Sequence, residues 1–303
     1  MLRARAGDRL SQLGDPRFDA QRFFLPADDM LGFVRIAADP EFVIGTRNAD
    51  REWVARIAGG EIDGCDANDL PTPTRDFHIA RYPVTVAQFR SFVTATGLEI
   101  GGPDALADPA SRPVGRVSWH EALAWCDWLN GMLATSPALA ASRVAALVRE
   151  DGWRVGLPSE LEREKAARGG LRSAVFPWGD ADDGDGRRGN HQASAIGETS
   201  VVGCFAPNGY ALHDMAGNVW EWTRSPESTG FGQPDIDYQY RLDYREREDR
   251  AAAEDLGRVI RGGSFGDLPG FARCGLRRWA VPHHRAMNLG FRVVLRSSPV
   301  LPL

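Results

Sequence analysis

The chain has 303 residues, of which 43% are apolar and 25% are charged, and its formal net charge is −5. This profile is typical of a globular protein with a buried core, and the mildly acidic charge argues against nucleic acid as a partner. No stretch is apolar for long enough to predict a membrane span, so no membrane partner is expected. The 33 glycines, 19 prolines and 9 tryptophans predict many turns and much irregular loop.

Residues 1–28 are predicted to be an N-terminal extension or linker with a short helix that ends at Gly14. They contain no apolar segment of the signal-peptide type. Residues 29–297 are predicted to form one domain, and residues 298–303 a tail. The four cysteines are widely spaced without a CxxC pair, which favours reduced thiols and a cytoplasmic location over disulfides. They are Cys65, Cys126, Cys204 and Cys274.

Strand-like apolar runs are predicted at 32–38, 42–45 and 77–84, and the polar region 46–76 is predicted to be loop. Three capping boxes then predict helix starts, because a Ser or Thr side chain and a Glu or Gln three residues later can satisfy each other's backbone N–H groups. These pairs are Thr85–Gln88, Ser118–Glu121 and Ser159–Glu162.

A further helix is predicted from Ser136–Pro137, since proline is favoured at the first helical position. Trp125 and Cys126 share one face of the helix that follows Ser118 and are predicted to be core. From residue 171 onward, turn residues interrupt each short apolar run, which predicts short strands. Helices early and irregular strands late favour an α+β fold.

Seven sequence blocks, in this order, resemble the formylglycine-generating-enzyme, or sulfatase-modifying-factor, family. They are RYPVTVAQFRSFV (81–93), RPVGRVSWHEALAWCDWLN (112–130), GLPSELEREKAARGG (156–170), FPWGD (176–180), PNGYALHDMAGNVWEWT (207–223), RVIRGGSF (258–265) and NLGFRVV (288–294). The resemblance covers about residues 30–296. It implies a C-type-lectin-like fold with few short strands, several helices and long irregular loops.

The resembled family includes copper oxidases that convert a target cysteine to formylglycine with two cysteines placed shortly after an RGGS strand. Two thiolates suit Cu(I). The corresponding stretch here, Gly266–Ala272, contains no cysteine, and Cys274 matches a non-catalytic cysteine of the family pattern. No copper and no catalytic residue are therefore expected. A divergent metal-dependent oxidase that uses another site is the alternative.

The block LHDMAGNVWEW resembles the family's structural calcium site, and oxygen ligands of this mixture suit a hard cation. The carried-over ligands are the Asp214 and Glu221 carboxylates and the backbone carbonyls of Met215, Gly217 and Val219. The family's other calcium site would use Asn190, His191, Ser194 and Ile196. Because the family's acidic ligand is replaced by Ser194, that second site is not expected.

Residues 265–287 interleave large apolar side chains with Arg and His and show neither a helical nor an alternating period. Segments between strands lie at the surface, and aromatic and Arg residues often anchor recognition. The segment resembles the variable region of ligand-binding family members that are diversified by retroelements. The expected ligand-binding face is Phe265, Gly266, Asp267, Leu268, Phe271, Gly275, Leu276, Arg278, Trp279, Ala280, Val281, His283, His284, Ala286 and Met287.

Eight arginines and one acidic residue, Asp267, lie between Arg258 and Arg296. This charge distribution predicts a local basic patch. The expected partner is therefore an unknown protein or other macromolecule with anionic and apolar features. The chain could serve as one module of a larger defence or signalling assembly.

Overall fold

The computed structural model describes residues 2–62, 66–181, 183–227 and 256–297. In these ranges the α-helices are α1 Leu2–Leu13, α2 Arg51–Ala58, α3 Val86–Thr96, α4 Trp119–Thr135, α5 Arg143–Glu150 and α6 Glu160–Ala167. The strands are β1 Phe18–Asp19, β2 Leu25–Pro26, β3 Phe33–Ile36, β4 Phe77–Ala80, β5 Trp153–Gly156, β6 Trp220–Pro226, β7 Arg258–Arg261, β8 Arg278–Ala280, β9 Leu289–Phe291 and β10 Val294–Ser297. None of the helices within the described ranges is long and apolar enough to span a membrane.

The strands form two four-stranded sheets and one two-stranded ribbon. The first sheet has the order β3-β4-β10-β5 and is antiparallel throughout. The second has the order β8-β7-β6-β9, in which β9 runs parallel to β6. Because β10 pairs with β4 and β5 while β9 pairs with β6, the two sheets are joined through the short β9–β10 connection.

The main hydrophobic core contains residues of α3, α4 and the second sheet. Trp125 and Cys126 of α4 are at most 1% exposed, as their helical face predicted. The Trp125 ring meets Phe291 of β9 edge-on, with centroids 5.6 Å apart. Trp222 of β6 is fully buried, and its indole N–H donates to the Val117 carbonyl at 2.9 Å. The helical layer is therefore packed directly onto the sheet that carries the 265–287 segment.

All three predicted capping boxes are present, at the N-termini of α3, α4 and α6. The helix predicted from Ser136 begins later, at Arg143. Ser142 is its N-cap and accepts the Ala145 N–H at 3.2 Å, while Pro137 lies in the preceding turn. The Ser142 cap carries no Glu or Gln at the third helical position, so the capping-box pattern did not reveal it.

Two predictions for the region before α3 are wrong. Residues 46–76 are not all loop, because α2 lies within them with Val54 as its buried side chain. The helix has only eight residues and lies among polar residues rich in Asp and Gly, a composition that is typical of loop. Residues 42–45 form no strand, and the Ile44 N–H donates to the Thr72 hydroxyl at 3.0 Å instead of to a sheet neighbour.

The N-terminal helix α1 contacts the rest of the chain. Asp8 accepts two hydrogen bonds from Arg112, at 2.9 and 2.8 Å, and the Ser11 hydroxyl accepts the Ser111 N–H at 3.0 Å. The helix ends as predicted at Gly14, which adopts a φ of 94°. In the described residues, α1 is thus attached to the loop that leads into α4.

Candidate functional site

The 265–287 segment leaves the second sheet after β7, contributes its edge strand β8, and leads back to the sheet at β9. Its two ends are joined by a hydrogen bond, in which the Asn288 side-chain amide donates to the Ser264 hydroxyl at 2.9 Å. Gly262 and Gly263 make the exit turn with φ of 98° and 70°. A Cβ on Gly263 would lie 2.7 Å from the Phe271 carbonyl oxygen, so the turn requires glycine there.

The expected face divides into three groups by exposure. The exposed residues are Gly266, Leu268, Arg278, Trp279, His283, His284 and Met287. The partly buried residues are Asp267, Phe271, Val281 and Ala286, and the buried ones are Phe265, Gly275, Leu276 and Ala280. Treating the whole segment as surface is therefore wrong for the last group, since Leu276 is 1% exposed and belongs to the main core. Because the segment turns repeatedly, its buried residues do not recur at a regular spacing, and the sequence alone does not distinguish them from the exposed ones.

Three large apolar side chains remain exposed in this segment. Leu268 is 59%, Met287 53% and Trp279 41% exposed. The Arg278 guanidinium lies 5.4 Å from the centre of the Phe271 ring and covers it. Arg278 is itself exposed and forms no ion pair with any described residue. This mixture gives an apolar surface with an accessible cation.

Five arginines that flank or interrupt the segment pair with carboxylates on α4, on α6, on β6 and before β4, and all of them except the exposed Arg285 are buried or partly buried. These pairs are Arg261–Glu164, Arg273–Asp66, Arg277–Glu160, Arg285–Glu121 and Arg292–Glu221. Arg258 stacks on the Trp119 ring at 4.2 Å. The predicted basic patch is therefore too extensive, because Arg258, Arg261, Arg273 and Arg292 are buried and only Arg278 and the paired Arg285 are exposed.

Glu221 is one of the fully buried acids and pairs with two arginines. Its carboxylate accepts hydrogen bonds from Arg163 at 2.6 Å and from Arg292 at 3.1 and 3.2 Å. Burial raises the pKa of Glu221, but the two guanidinium groups outweigh burial and hold that pKa below its ordinary value. The carboxylate is thus ionised and linked to β9–β10 and α6 at once.

Asp267 has a structural role that the sequence did not reveal. Its Oδ2 accepts hydrogen bonds from the Trp220 indole N–H at 2.9 Å, from the Ser264 N–H at 2.9 Å and from the Ser264 hydroxyl at 2.5 Å. Its carbonyl accepts the Gln192 N–H at 2.8 Å. Asp267 therefore fixes the start of the 265–287 segment against β6.

The described cysteines, Cys126, Cys204 and Cys274, are free thiols. Cys274 is buried, and burial raises its pKa to about 12. Burial likewise raises the pKa of Cys204 to about 11. Cys65 lies outside the described residues.

The residues carried over from the family's calcium site do not fit calcium in this arrangement. Glu221 is held by two arginines, and the Met215 carbonyl accepts a hydrogen bond from Arg163 at 2.9 Å. Asp214 is buried, which raises its pKa, and its Oδ2 accepts the Gly203 N–H at 2.7 Å. A cation there would lie beside two guanidinium groups, whose like charge repels it. The remaining carried-over positions, Gly217 and Val219, would offer backbone carbonyls alone.

The other calcium-site positions are occupied by internal hydrogen bonds. The Asn190 side chain accepts from the Ser194 hydroxyl at 3.0 Å, and its amide donates to the Glu198 carbonyl at 2.9 Å. The His191 carbonyl accepts the Ser194 N–H at 2.8 Å. Within the described ranges, no group of three or more His, Cys, Asp or Glu side chains could hold a metal ion.

Two solved structures resemble this chain over most of its length. The structure of PvdO from Pseudomonas aeruginosa matches with a TM-score of 0.63 and 24% identity, covering 87% of this chain and 93% of PvdO. Treponema denticola variable protein 1 matches with a TM-score of 0.59 and 21% identity, covering 87% and 94%. At these identities the likeness concerns the fold, and it confirms the expected α+β, C-type-lectin-like architecture.

Curated relatives with similar sequences indicate the family of this chain. The formylglycine-generating enzyme of Mus musculus is 30% identical over 65% of this chain, and the chain spans only 48% of the length of that enzyme. The enzyme of Thermomonospora curvata is 32% identical, with 73% of this chain and 67% of the relative aligned. The sulfatase-modifying factor enzyme 1-like domain matches residues 44–297. The chain therefore belongs to the sulfatase-modifying factor enzyme 1-like domain family.

Proposed function

We propose that this chain is a binding protein that presents the exposed residues of the 265–287 segment to a protein or other macromolecular ligand, without copper-oxidase chemistry. The single observation that carries this proposal is the replacement of the expected cysteine pair. In that stretch, Asp267 forms three hydrogen bonds through Oδ2 and Leu268 is exposed. A redox centre is thus replaced by a fixed loop with an apolar tip.

The chemistry of the ligand follows from what is exposed. Leu268, Trp279 and Met287 offer apolar area, and aromatic anchors contribute most where they can be fully desolvated. Arg278 supplies one accessible cation. The ligand is therefore an apolar surface with at least one acidic group, rather than a strongly anionic polymer.

Retroelement diversification is part of this proposal. The shared fold with Treponema denticola variable protein 1 supports it as a precedent for the architecture. The separation of the segment into inward arginines and outward residues also supports it, because outward positions can change without leaving a buried charge unpaired.

Sequencing codons 258–296 across a population of the source organism tests the proposal. We expect variation at the exposed positions, with Arg261, Arg273 and Arg277 unchanged. The same sequencing run should show a nearby near-copy of the segment and a reverse transcriptase gene. An invariant segment, or variation spread equally over inward and outward positions, would contradict diversification.

A divergent oxidase is the second candidate, favoured by the 30% and 32% identity to formylglycine-generating enzymes. It predicts stoichiometric binding of copper or iron, together with oxygen consumption. The binding-protein proposal predicts neither. Metal analysis after dialysis against each ion, followed by oxygen-electrode measurements with a cysteine-containing peptide, separates the two.

A further inference from the structure

The chain contains a single lysine, Lys165, among its 36 Lys and Arg residues. The rest of these residues are arginines, whose guanidinium groups stay protonated in proteins. A lysine amine can lose its proton and then act as a nucleophile. Lys165 lies near the end of α6 and is 4% exposed.

The Lys165 amine contacts two neutral oxygen atoms. Its Nζ donates to the Thr74 hydroxyl at 2.5 Å and to the Ala37 carbonyl. It forms no ion pair with any carboxylate in the described residues. A buried ammonium group without a carboxylate partner is unfavourable, whereas the two N–H groups of a neutral amine are both satisfied by these acceptors. Burial accordingly lowers the pKa of Lys165, although the charges of Asp39 and Asp76 oppose that shift.

Lys165 also lines an open cavity of about 250 Å³, which lies outside the 265–287 segment. The cavity is bounded by residues of the 39–47 loop, the end of α6, the 170–173 turn and Tyr210. Arg47 and Arg172 line it as well, and neither forms an ion pair in the described part of the chain. The size is suited to a small metabolite, and the two arginines favour one that carries an anionic group.

Further lining groups can support proton transfer. Burial raises the pKa of Tyr210, so its phenol remains a proton donor at neutral pH. The Asp39 carboxylate also lines the cavity and is close enough to raise the pKa of both Tyr210 and Lys165. The cavity therefore combines Lys165 and a phenol with the carboxylates of Asp39 and Glu41 and with three arginines, of which Arg168 is paired with Glu164.

We propose that this cavity binds a small aldehyde or ketone bearing an anionic group, and that Lys165 condenses with its carbonyl carbon. The Nζ lone pair attacks that carbon to give a carbinolamine. The two amine hydrogens then leave with the carbonyl oxygen as water, and a C=N bond remains. The step needs no oxidant or reductant, and it is independent of ligand binding by the 265–287 segment.

Reductive trapping with pyridoxal 5′-phosphate tests the proposal on the full chain. Borohydride reduction followed by peptide mass spectrometry should find one adduct at Lys165, separate from any adduct at the terminal amine. Pyridoxal, which lacks the phosphate, should label Lys165 about tenfold more slowly. Inorganic phosphate should protect Lys165 in the unmodified protein, and glyoxylate should compete if a carboxylate also satisfies the two arginines.

Two variants complete the test. Lys165→Met removes the amine without placing a charge in the buried site and should remove the adduct, whereas Arg172→Ala should slow labelling while the melting temperature stays unchanged. The labelling rate should reach half its maximum below pH 10.5, the ordinary lysine value. Labelling of the terminal amine alone would overturn the proposal. The proposal would also be overturned if Lys165 were labelled at the same rate by pyridoxal and by pyridoxal 5′-phosphate, and if that rate were no higher than in the urea-unfolded chain.

Discussion

In the 265–287 segment and the residues that flank it, the arginines that face the protein interior form ion pairs, whereas the large apolar side chains that face solvent do not pack against the core. On the inward side, arginines such as Arg261 and Arg292 reach buried carboxylates and are at most 2% exposed. On the outward side, Leu268 and Met287 are more than half exposed and lie between those arginines in sequence. The charge of a segment in sequence therefore does not give the charge of its surface, because burial decides which side chains a partner meets.

The largest effect is expected on the inward side, at Glu221. Glu221→Gln leaves Arg163 and Arg292 buried with a neutral partner, which should lower the free energy of unfolding by about 3–5 kcal/mol. Urea unfolding followed by circular dichroism measures this. The control is Asp185→Asn, which removes the exposed Arg187 pair and should change nothing measurable. If Glu221→Gln and Asp185→Asn had the same free energy of unfolding, buried ion pairs would contribute no more to stability than exposed ones.

Two leucines in the same segment provide a matched comparison. Leu276→Ala creates a cavity in the core and should cost about 2–5 kcal/mol, because Leu276 is 1% exposed. Leu268→Ala should change stability by less than about 0.5 kcal/mol, since that side chain is 59% exposed. Thermal unfolding of the two variants side by side checks this. A larger loss at Leu268 would mean that the outward side is part of the packed structure.

Glu121 is intermediate, because it caps α4 and also binds the half-exposed Arg285. Glu121→Ala should cost about 1–2 kcal/mol. Burial raises the pKa of Glu121, but hydrogen bonds from Arg285, Ser118 and Gly101 outweigh it and lower that pKa below 4.5. The contribution is therefore present above pH 4.5 and is lost as pH falls through the lowered value. The urea midpoints of the unmodified protein and of Glu121→Ala should converge in that acidic range. A difference between the midpoints that does not change with pH would contradict a stabilising role for the Glu121 carboxylate.

The smallest effect is expected from removal of calcium. Since Glu221 is held by Arg163 and Arg292, EDTA should leave the melting temperature unchanged, and added calcium should not raise it. Differential scanning calorimetry with and without each additive measures this. A rise in melting temperature with calcium would show that the arginines yield the carboxylate to the ion.

The sequence predicted those features that depend on local chemistry. The three capping boxes gave the starts of α3, α4 and α6, because both partners of each box lie within four residues. It could not predict the partners of Arg273 and Arg285, which are distant acids brought close by the fold. For the same reason, the sequence does not reveal that Asp267 accepts a hydrogen bond from the Trp220 indole N–H.

The hydrogen bond between Ser264 and Asn288 has a consequence for engineering. It fixes the two ends of the segment at one point, independently of what lies between them. The entropic cost of a longer connection grows slowly, by about 0.6 kcal/mol for each doubling of length. The scaffold could therefore accept grafted peptides of different lengths at this position, provided that each graft retains Leu276, the pairing of β8 with β7 and the arginines that face Asp66, Glu160 and Glu121.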